Sequence, residues 1–400
     1  MKNKVKVLRI LNRFNVGGPI YNATYLTKYL NPDKYETLLI GGINENHEQP
    51  GDYILNNEGV SYTKLKYMKR NISIFYDLIA LIQILKIIYT YKPDIIHTHA
   101  AKAGLLGRIS SILYFKKVKI VHTYHGNVFD GYFSPFKTKI ILIIERFLAK
   151  KTTKIVSISN LQKSDLVNKY YISTSDKISV IPLGFDLTKF SKNITEKRLK
   201  TRKEFKIDSS TILISIIGRV VPIKNHKLFI DVFKYIKEKT DLKIKAIVVG
   251  DGCELNNIMT YASQRKIKSS YKEVKDSDDI NFASWRSDID NILAASDVIC
   301  LTSINEGTPV SIIESMASGT ASISTNVGGV SDIISDSIDG LIADNDFTKY
   351  GEKLLKLIEN KKFRASIASA GQDKSINNYN YTVLVNNIDN LYTKILRNEN

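Results

Sequence analysis

Two carboxylates, Glu306 and Glu314, bracket the run Glu306-Gly-Thr-Pro-Val-Ser-Ile-Ile-Glu314. Thr308 is expected to cap a helix here, with Pro309 at the first helical position, where a missing N–H costs nothing. Gly319 is expected to end that helix. The amides of Val310 and Ser311 then point out between Glu306 on the loop and Glu314 within the helix. Such a helix start attracts an anion, and the two acceptors beside it suit hydroxyl groups. A ligand joining phosphate to hydroxyl-rich groups, such as a sugar nucleotide, fits this chemistry. The alternative is an amphipathic core helix with an incidental acidic start.

A second loop, Ile217-Gly-Arg-Val-Val-Pro-Ile-Lys-Asn-His226, carries two cations. Arg219 can grip a phosphate with two parallel bonds, and Lys224 supplies a compact point charge. Together they can neutralise a diphosphate leaving group as its charge develops. Near the start, Gly17 and Gly18 would let backbone approach a ligand closely. The pattern is not G-x-G-x-x-G, so a dinucleotide fingerprint is not supported. Five of the six histidines, His97, His99, His122, His125 and His226, fall at strand ends or just after them, while His47 is in a polar loop. His125, on the turn opened by Gly126, is the sharpest candidate for hydrogen bonding or proton handling; the bland alternative for each is a histidine satisfied by the backbone. No nucleophile elbow, P-loop or zinc spacing is present, and the Asp pairs near 276, 288 and 344 read as turns or caps. No metal site and no cofactor are expected.

These residues need elements to hold them. Short apolar runs suggest strands near 4–11, 36–41, 94–98, 118–123, 154–158 and 178–181. A second set falls near 211–217, 243–249, 279–283, 297–301, 321–325 and 340–343. Runs apolar on both faces, alternating with helical stretches, indicate α/β architecture with parallel sheets covered by helices. Four hundred residues exceed one ordinary core. Two doubly wound domains are expected, 1–195 and 196–376, with a helical tail at 377–400 returning to the first. Ligands of such sheets bind outside the carboxyl ends of the strands. Gly17, His99, His125, Arg219 and Glu306 all follow strands in that way.

Bulk properties narrow the function classes. Apolar residues make up 43% and charged residues 24%, as in a folded soluble protein. Cys253 and Cys300 read as buried thiols in a reducing compartment rather than a disulfide framework. The start lacks a signal-peptide core. The longest apolar stretch, 78–88, contains Gln83 and Lys86 and is too short to span a membrane. The net charge of +18 is one-sided: residues 1–195 hold 29 Lys+Arg against 13 Asp+Glu, the rest 29 against 27. A basic first half points to a polyanionic partner. The basic residues interleave with apolar ones, and 136–151 reads as an amphipathic helix with a basic face. That favours an anionic membrane surface over nucleic acid, for which no recognised module appears. The alternative is a solvated lysine face.

Taken in order, these segments resemble the retaining glycosyltransferases of family four, with the GT-B architecture of two facing Rossmann-like domains. The glycine pair, Lys92-Pro-Asp-Ile-Ile-His-Thr-His99, His125-Gly126, Gly218-Arg219 with Lys224, and Glu306 with Glu314 occur in the family's order over nearly the whole chain. The segments 102–108 and 127–134 also look like bacterial members that build cell-surface polysaccharides.

The resemblance implies roles. Arg219 and Lys224 would hold the donor diphosphate, with the helix start at Val310 and Ser311, and Glu314 the ribose hydroxyls. Glu306 would contact the transferred sugar, and His125 would orient its hydroxyls. Gly17 and Gly18 would close near the phosphates. Asn22, His99 and Lys102 would lie on the acceptor side. The implied reaction moves a hexose or N-acetylhexosamine from a nucleotide-sugar, UDP by family weight, to a lipid-linked saccharide, without metal and with retention. The implied location is cytoplasmic, peripheral at the inner face of the membrane. A membrane-docked inactive partner subunit and a GT-B epimerase are the rival readings. Trp285 and Arg286 are expected near the base, and the sugar itself is not legible.

Overall fold

The structure is a computed structural model that describes residues 4–45, 50–126, 129 and 134–397. His47 and most of 127–134 lie outside them. The chain forms two compact units, Met1–Phe185 with Tyr379–Asn400, and Asp186–Asn378. The division falls at Phe185 rather than after 195. The reason is local: the Phe185 N–H donates to the Tyr379 carbonyl at 2.8 Å, and the Tyr381 N–H to the Phe185 carbonyl at 3.0 Å. The two passages of the chain are thereby stitched together at that residue.

The first sheet contains β1 (Val5–Arg13), β2 (Tyr35–Gly42), β3 (Tyr62–Leu65), β4 (Ile95–His99), β5 (Lys119–Tyr124), β6 (Lys154–Ser157) and β7 (Ile178–Val180). Its order is β3-β2-β1-β4-β5-β6-β7. The second contains β8 (Ile212–Ile217), β9 (Ile244–Val249), β10 (Ser269–Tyr271), β11 (Ile280–Ser284), β12 (Val298–Leu301), β13 (Ala321–Thr325) and β14 (Leu341–Ala343), in the order β10-β11-β9-β8-β12-β13-β14. Every strand pair is parallel. The interior strand β12 is buried at all four residues, as helices on both faces require. The two strands missed by pattern, β3 and β10, are edge strands of four and three residues, too short and too polar to carry a hydrophobic signature.

Right-handed crossovers assign the helices of the first unit to faces. The helices α1 (Gly18–Tyr29) and α2 (Asp52–Asn57) cover one face; α3 (Ile74–Tyr91), α4 (Ala101–Leu113) and α5 (Pro135–Lys151) cover the other. Ala80, Ile84 and Ile88 of α3 pack with Ala103 and Leu106 of α4 over Leu8, Ile10 and Ile96 of the sheet. The buried Arg108 of α4 clamps Glu145 of α5 with both carboxylate oxygens, at 2.8 and 2.7 Å.

The tail is not one helix. A helix of the second unit, Lys361–Tyr379, ends before Asn380, whose side chain caps a new helix by accepting from the Thr382 N–H at 3.0 Å. That last helix, Tyr381–Leu396, sets Leu384, Ile388 and Tyr392 against Val7, Leu26 and Ile95. In the second unit, Ile214, Ile216, Phe229, Phe233, Val248 and Phe282 lead the core.

Among the described residues, one helix, α3, is long and apolar enough by length and composition alone to cross a membrane. The stretch 78–88 is thus part of a longer apolar helix. Ala80, Ile84 and Ile88 pack on the sheet, so in the folded unit α3 is a covering helix with one apolar face outward. Cys300 is buried as expected, but Cys253 is exposed, because it lies on the loop after β9 rather than in a strand.

Candidate functional site

In the second unit the chemistry gathers at the carboxyl ends of β8, β12 and β13. The loop after β8 and the loop after β12 are tied together by backbone: the Ile304 N–H donates to the Ile223 carbonyl at 2.8 Å, and the Thr302 hydroxyl to the Lys224 carbonyl at 3.1 Å. This brings Lys224 Nζ to 2.5 Å from Glu306 Oε1. The Ser303 hydroxyl donates to the same oxygen at 2.6 Å. Glu306 is held from behind as well. The Gly329 N–H donates to the Glu306 carbonyl at 3.1 Å. A Cβ on Gly328, whose φ is +49°, would lie 1.8 Å from that carbonyl oxygen, and one on Gly329 2.0 Å from the Gly307 carbonyl oxygen. Only glycine admits this approach.

The next helix is Val310–Ala317, with Pro309 rather than Thr308 as its N-cap residue. The first intrahelical bonds run from the Ile312 and Ile313 N–H groups to the Pro309 carbonyl. The amides of Val310 and Ser311 have no acceptor within the helix. At the other end Gly319, at φ +66°, closes a Schellman turn: the Gly319 N–H donates to Met316 and the Thr320 N–H to Ser315. Glu314 sits one turn in and is partly buried. Burial, with a smaller push from Asp290, raises its pKa to about 7, against the opposing pull of Lys189. The exposed Arg219 makes no side-chain bond among the described residues.

The first unit, taken by itself, holds a buried imidazole cluster at the ends of β4 and β5. His97 bonds the Tyr392 hydroxyl through Nδ1 at 2.6 Å and the Thr123 hydroxyl through Nε2 at 2.7 Å. Its ring stacks on His99, with centroids 4.3 Å apart. His99 Nδ1 meets His125 Nε2 at 3.0 Å, so one of the two donates and the other accepts. The outer nitrogens, His99 Nε2 and His125 Nδ1, are buried without a hydrogen-bond partner among the described residues. Burial holds His97, His99 and His122 well below the usual imidazole range, helped at His97 by Arg9, and lowers His125 to about 3. All are neutral at physiological pH.

Comparison with known proteins extends over both units. The model of Glycosyltransferase Family 4 matches residues 17–189, and that of Glycosyl transferases group 1 matches 197–374. One relative is the Escherichia coli UDP-Gal:alpha-D-GlcNAc-diphosphoundecaprenol alpha-1,3-galactosyltransferase. It is 32% identical over 332 residues, covering 82% of this chain and 83% of its own length. The chain belongs to glycosyltransferase family 4. The Staphylococcus aureus Capsular polysaccharide biosynthesis glycosyltransferase CapM is 25% identical to this glycosyltransferase over 332 residues, 82% of the chain and 84% of CapM. A Rickettsia africae glycosyltransferase structure superposes with a TM-score of 0.80 over 99% of this chain and 100% of its own, at 22% identity. The fold is GT-B.

Within this glycosyltransferase, Lys224, Glu306, Val310, Ser311 and Glu314 share two tied loops and one helix, with Arg219 on the first of those loops. In the first unit, His99 and His125 form one pair. Gly17 and Gly18 lead into α1, and Asn22 in the second turn of that helix is buried with Oδ1 unpartnered among the described residues. Lys102 does not fit the acceptor-side expectation. Its ammonium is nearly buried, 2.5 Å from Asp77 Oδ1, and donates to the Lys69 and Asn71 carbonyls at 2.8 and 2.6 Å. It pins the start of α3. Arg286 is likewise engaged, by Glu204 at 2.6 Å and Asp288 at 2.7 Å, whereas Trp285 is exposed after β11. His226 is buried, its pKa lowered to about 4 by burial and by Lys224. Sequence reasoning missed Ser303, Gly328 and Gly329. The glycine pair after β13 was a visible signal, but its partner loop lies some twenty residues upstream. Among the described residues, no group of three or more His, Cys, Asp or Glu is placed to hold a metal ion.

Proposed function

We propose that this glycosyltransferase moves a hexose or N-acetylhexosamine from a UDP-sugar to a lipid-linked saccharide, with retention and without a metal, in the synthesis of a cell-surface polysaccharide. The observation that carries the reading is the closure of Lys224 onto Glu306, with Arg219 on the same loop as Lys224 and the open amides of Val310 and Ser311 starting the helix that follows Glu306. One carboxylate, two cations and a helix start suit a diphosphate joined to a sugar. Arg219 and Lys224 hold the diphosphate, Glu314 accepts from the ribose hydroxyls, and Glu306 faces the transferred sugar. His125, its ring held by His99 and its buried Nδ1 without a partner among the described residues, is the candidate for bonding a sugar hydroxyl. Gly17, Gly18 and Asn22, at the start of α1, are the remaining candidates in the first unit.

The glycosidic C–O bond to the phosphate breaks as the acceptor oxygen bonds to the anomeric carbon from the same face. The acceptor's proton passes to the departing phosphate oxygen. The cations stabilise the charge that accumulates there, in the role a metal would otherwise fill. A UDP-sugar donor and a lipid-linked acceptor are supported by the name of the Escherichia coli relative, a UDP-Gal:alpha-D-GlcNAc-diphosphoundecaprenol alpha-1,3-galactosyltransferase. The capsule relative supports the polysaccharide setting. A lipid-linked acceptor keeps its diphosphate at the membrane, which supports a peripheral location at the cytoplasmic face and a role for the basic first unit there.

Thermal shifts against UDP, GDP and ADP test the donor, because a ligand selective for the native state raises Tm. A rise with UDP alone is expected, followed by radiolabelled transfer from UDP-galactose and UDP-N-acetylglucosamine to a diphosphoundecaprenol-linked sugar. No shift with any nucleotide would overturn the reading.

A further inference from the structure

The outward faces of α3 and α5 are apolar where a covering helix is ordinarily polar. On α3, Phe75, Leu78 and Ile82 are exposed at helical spacing, Phe75 by 69% and the preceding Ile74 by 89%. On α5, Phe136, Ile140, Ile143 and Phe147 are exposed at i, i+4, i+7 and i+11, Phe136 by 74%. These are single outward stripes, because the inward stripes, Ala80, Ile84 and Ile88 on α3 and Glu145, Leu148 and Ala149 on α5, are buried. Both helices flank α4 on one face of the sheet and run parallel to each other. Their first turns, with Ile74, Phe75 and Phe136, lie at the same edge of the sheet as His99 and His125, since every helix of a parallel sheet starts where its strand ends. The lysine–carboxylate pin of Lys102 and Asp77 fixes the first turn of α3 there.

We propose that α3 and α5 are two interfacial helices that insert this apolar edge into the headgroup–acyl boundary of a phospholipid bilayer. The inference rests on the lipid-linked acceptor proposed above and deepens it: attachment is by insertion, and the acceptor edge of the first unit faces the lipid. Charge complementarity selects the bilayer among possible occupants. Exposed Lys137 and Lys139 lie beside Phe136 and Ile140, and exposed Lys150 and Lys151 end the same helix. Apolar stripes rimmed by lysine suit an anionic membrane surface. Attachment by lysines alone would dissolve at high salt, whereas insertion would not.

The test uses the full chain and vesicles of phosphatidylcholine with or without 25% phosphatidylglycerol, a composition of about one anionic lipid in four. Flotation is expected to retain the protein on anionic vesicles at 0.5 M NaCl, a salt level of roughly 4 Å screening length. The double variant Phe75→Asp, Phe136→Asp should lower partitioning about tenfold or more, with the Tm unchanged because both positions are exposed. The chain has one tryptophan. Phe75→Trp and Phe136→Trp in a Trp285→Phe background should be quenched by dibrominated lipid. Complete release by salt with no quenching would leave lysine adsorption only and overturn insertion. A stable dimer in light scattering that the aspartate pair dissolves, with no vesicle binding, would assign the face to a second copy and also overturn it. Transfer in detergent to lipid-linked and to water-soluble acceptors reports separately on the lipid-linked reading. A preference for the soluble acceptor would sink that reading whatever the flotation shows.

Discussion

Lys224 Nζ rests 2.5 Å from Glu306 Oε1, so a cation proposed for the diphosphate and a carboxylate proposed for the sugar neutralise each other before any ligand arrives. The two come from loops after β8 and β12, neighbouring strands of one sheet. The pairing lowers the cost of holding either charge in a half-buried site. It also makes a division of labour testable. Glu306→Ala should reduce transfer by about 100-fold or more, the scale of losing one electrostatic partner of a developing charge. It should leave UDP affinity within about threefold, because Lys224 is then free for phosphate. Titration calorimetry with UDP beside a transfer assay decides this. A parallel fall in affinity would refute the division.

Arg219 is exposed and makes no side-chain bond among the described residues, so its variant isolates a ligand contact from a folding effect. Arg219→Ala should weaken UDP and UDP-sugar equally, by about 10- to 100-fold, as expected for losing about 1.5–3 kcal/mol of charged hydrogen bonding. Tm without ligand should not move. Weakening of the sugar nucleotide alone would place Arg219 away from the diphosphate.

Gly329→Ala should damage the site without touching a ligand. Its Cβ would lie 2.0 Å from the Gly307 carbonyl oxygen, so the loop carrying Glu306 must move. A misplacement of about 1 Å costs on the order of 100-fold in rate. The expected signature is a lower kcat with UDP affinity retained; unchanged kcat would show that the loop tolerates the shift.

Glu314 ties stability to pH. Burial raises its carboxyl from 4.5 to about 7, so the folded chain holds a proton that the unfolded chain releases earlier. Its contribution is greatest below pH 4.5 and is lost as pH rises toward 7. Glu314→Gln should therefore stabilise the free protein at pH 8 by about 1–3 kcal/mol, and near pH 4.5 the two should be alike. UDP affinity should rise between pH 6 and 8 in the parent, where the carboxylate forms, and stay flat in the variant. Urea melts and calorimetry at three pH values measure both.

The histidine cluster carries the opposite sign. His97, His99, His122 and His125 are buried neutral, with pKa values below the usual 6.5. The unfolded chain takes up protons there first, so their contribution is full above pH 6.5 and is lost as pH falls. Each contributes up to about 1.4 kcal/mol per pH unit in that window. Urea stability should drop steeply from pH 6.5 to 4.5. His99→Gln should flatten that slope by about one histidine. An unchanged slope would mean that His99 is charged or solvated in the native state.

Much of this protein was legible in its residues. Apolar runs such as Val298–Leu301 identify parallel strands because a covered sheet buries both faces of each strand, and twelve of the fourteen strands have that signature. The breaks at Gly17, Gly319 and Pro309 punctuate helices through backbone chemistry that acts locally. Edge strands β3 and β10 were not legible, since segments as polar as Thr63-Lys64 and Ser269-Ser270 become strands by pairing with a neighbour rather than by their own burial. Asn380 divides the tail because a capping side chain outcompetes continuation of the helix.

The sequence by itself determined which chemistry is available: Arg219, Lys224, Glu306, Glu314 and His125 in a fixed order, each following an apolar run. Only the tertiary structure decided how they are used. It closed Lys224 onto Glu306, buried His99 against His125, diverted Lys102 to Asp77 and turned the apolar stripes of α3 and α5 outward. Local pattern reports a residue's neighbours along the chain, within a turn or a strand. These relationships join segments 25 to more than 80 residues apart, and burial, charge pairing and exposure exist only once such segments have packed.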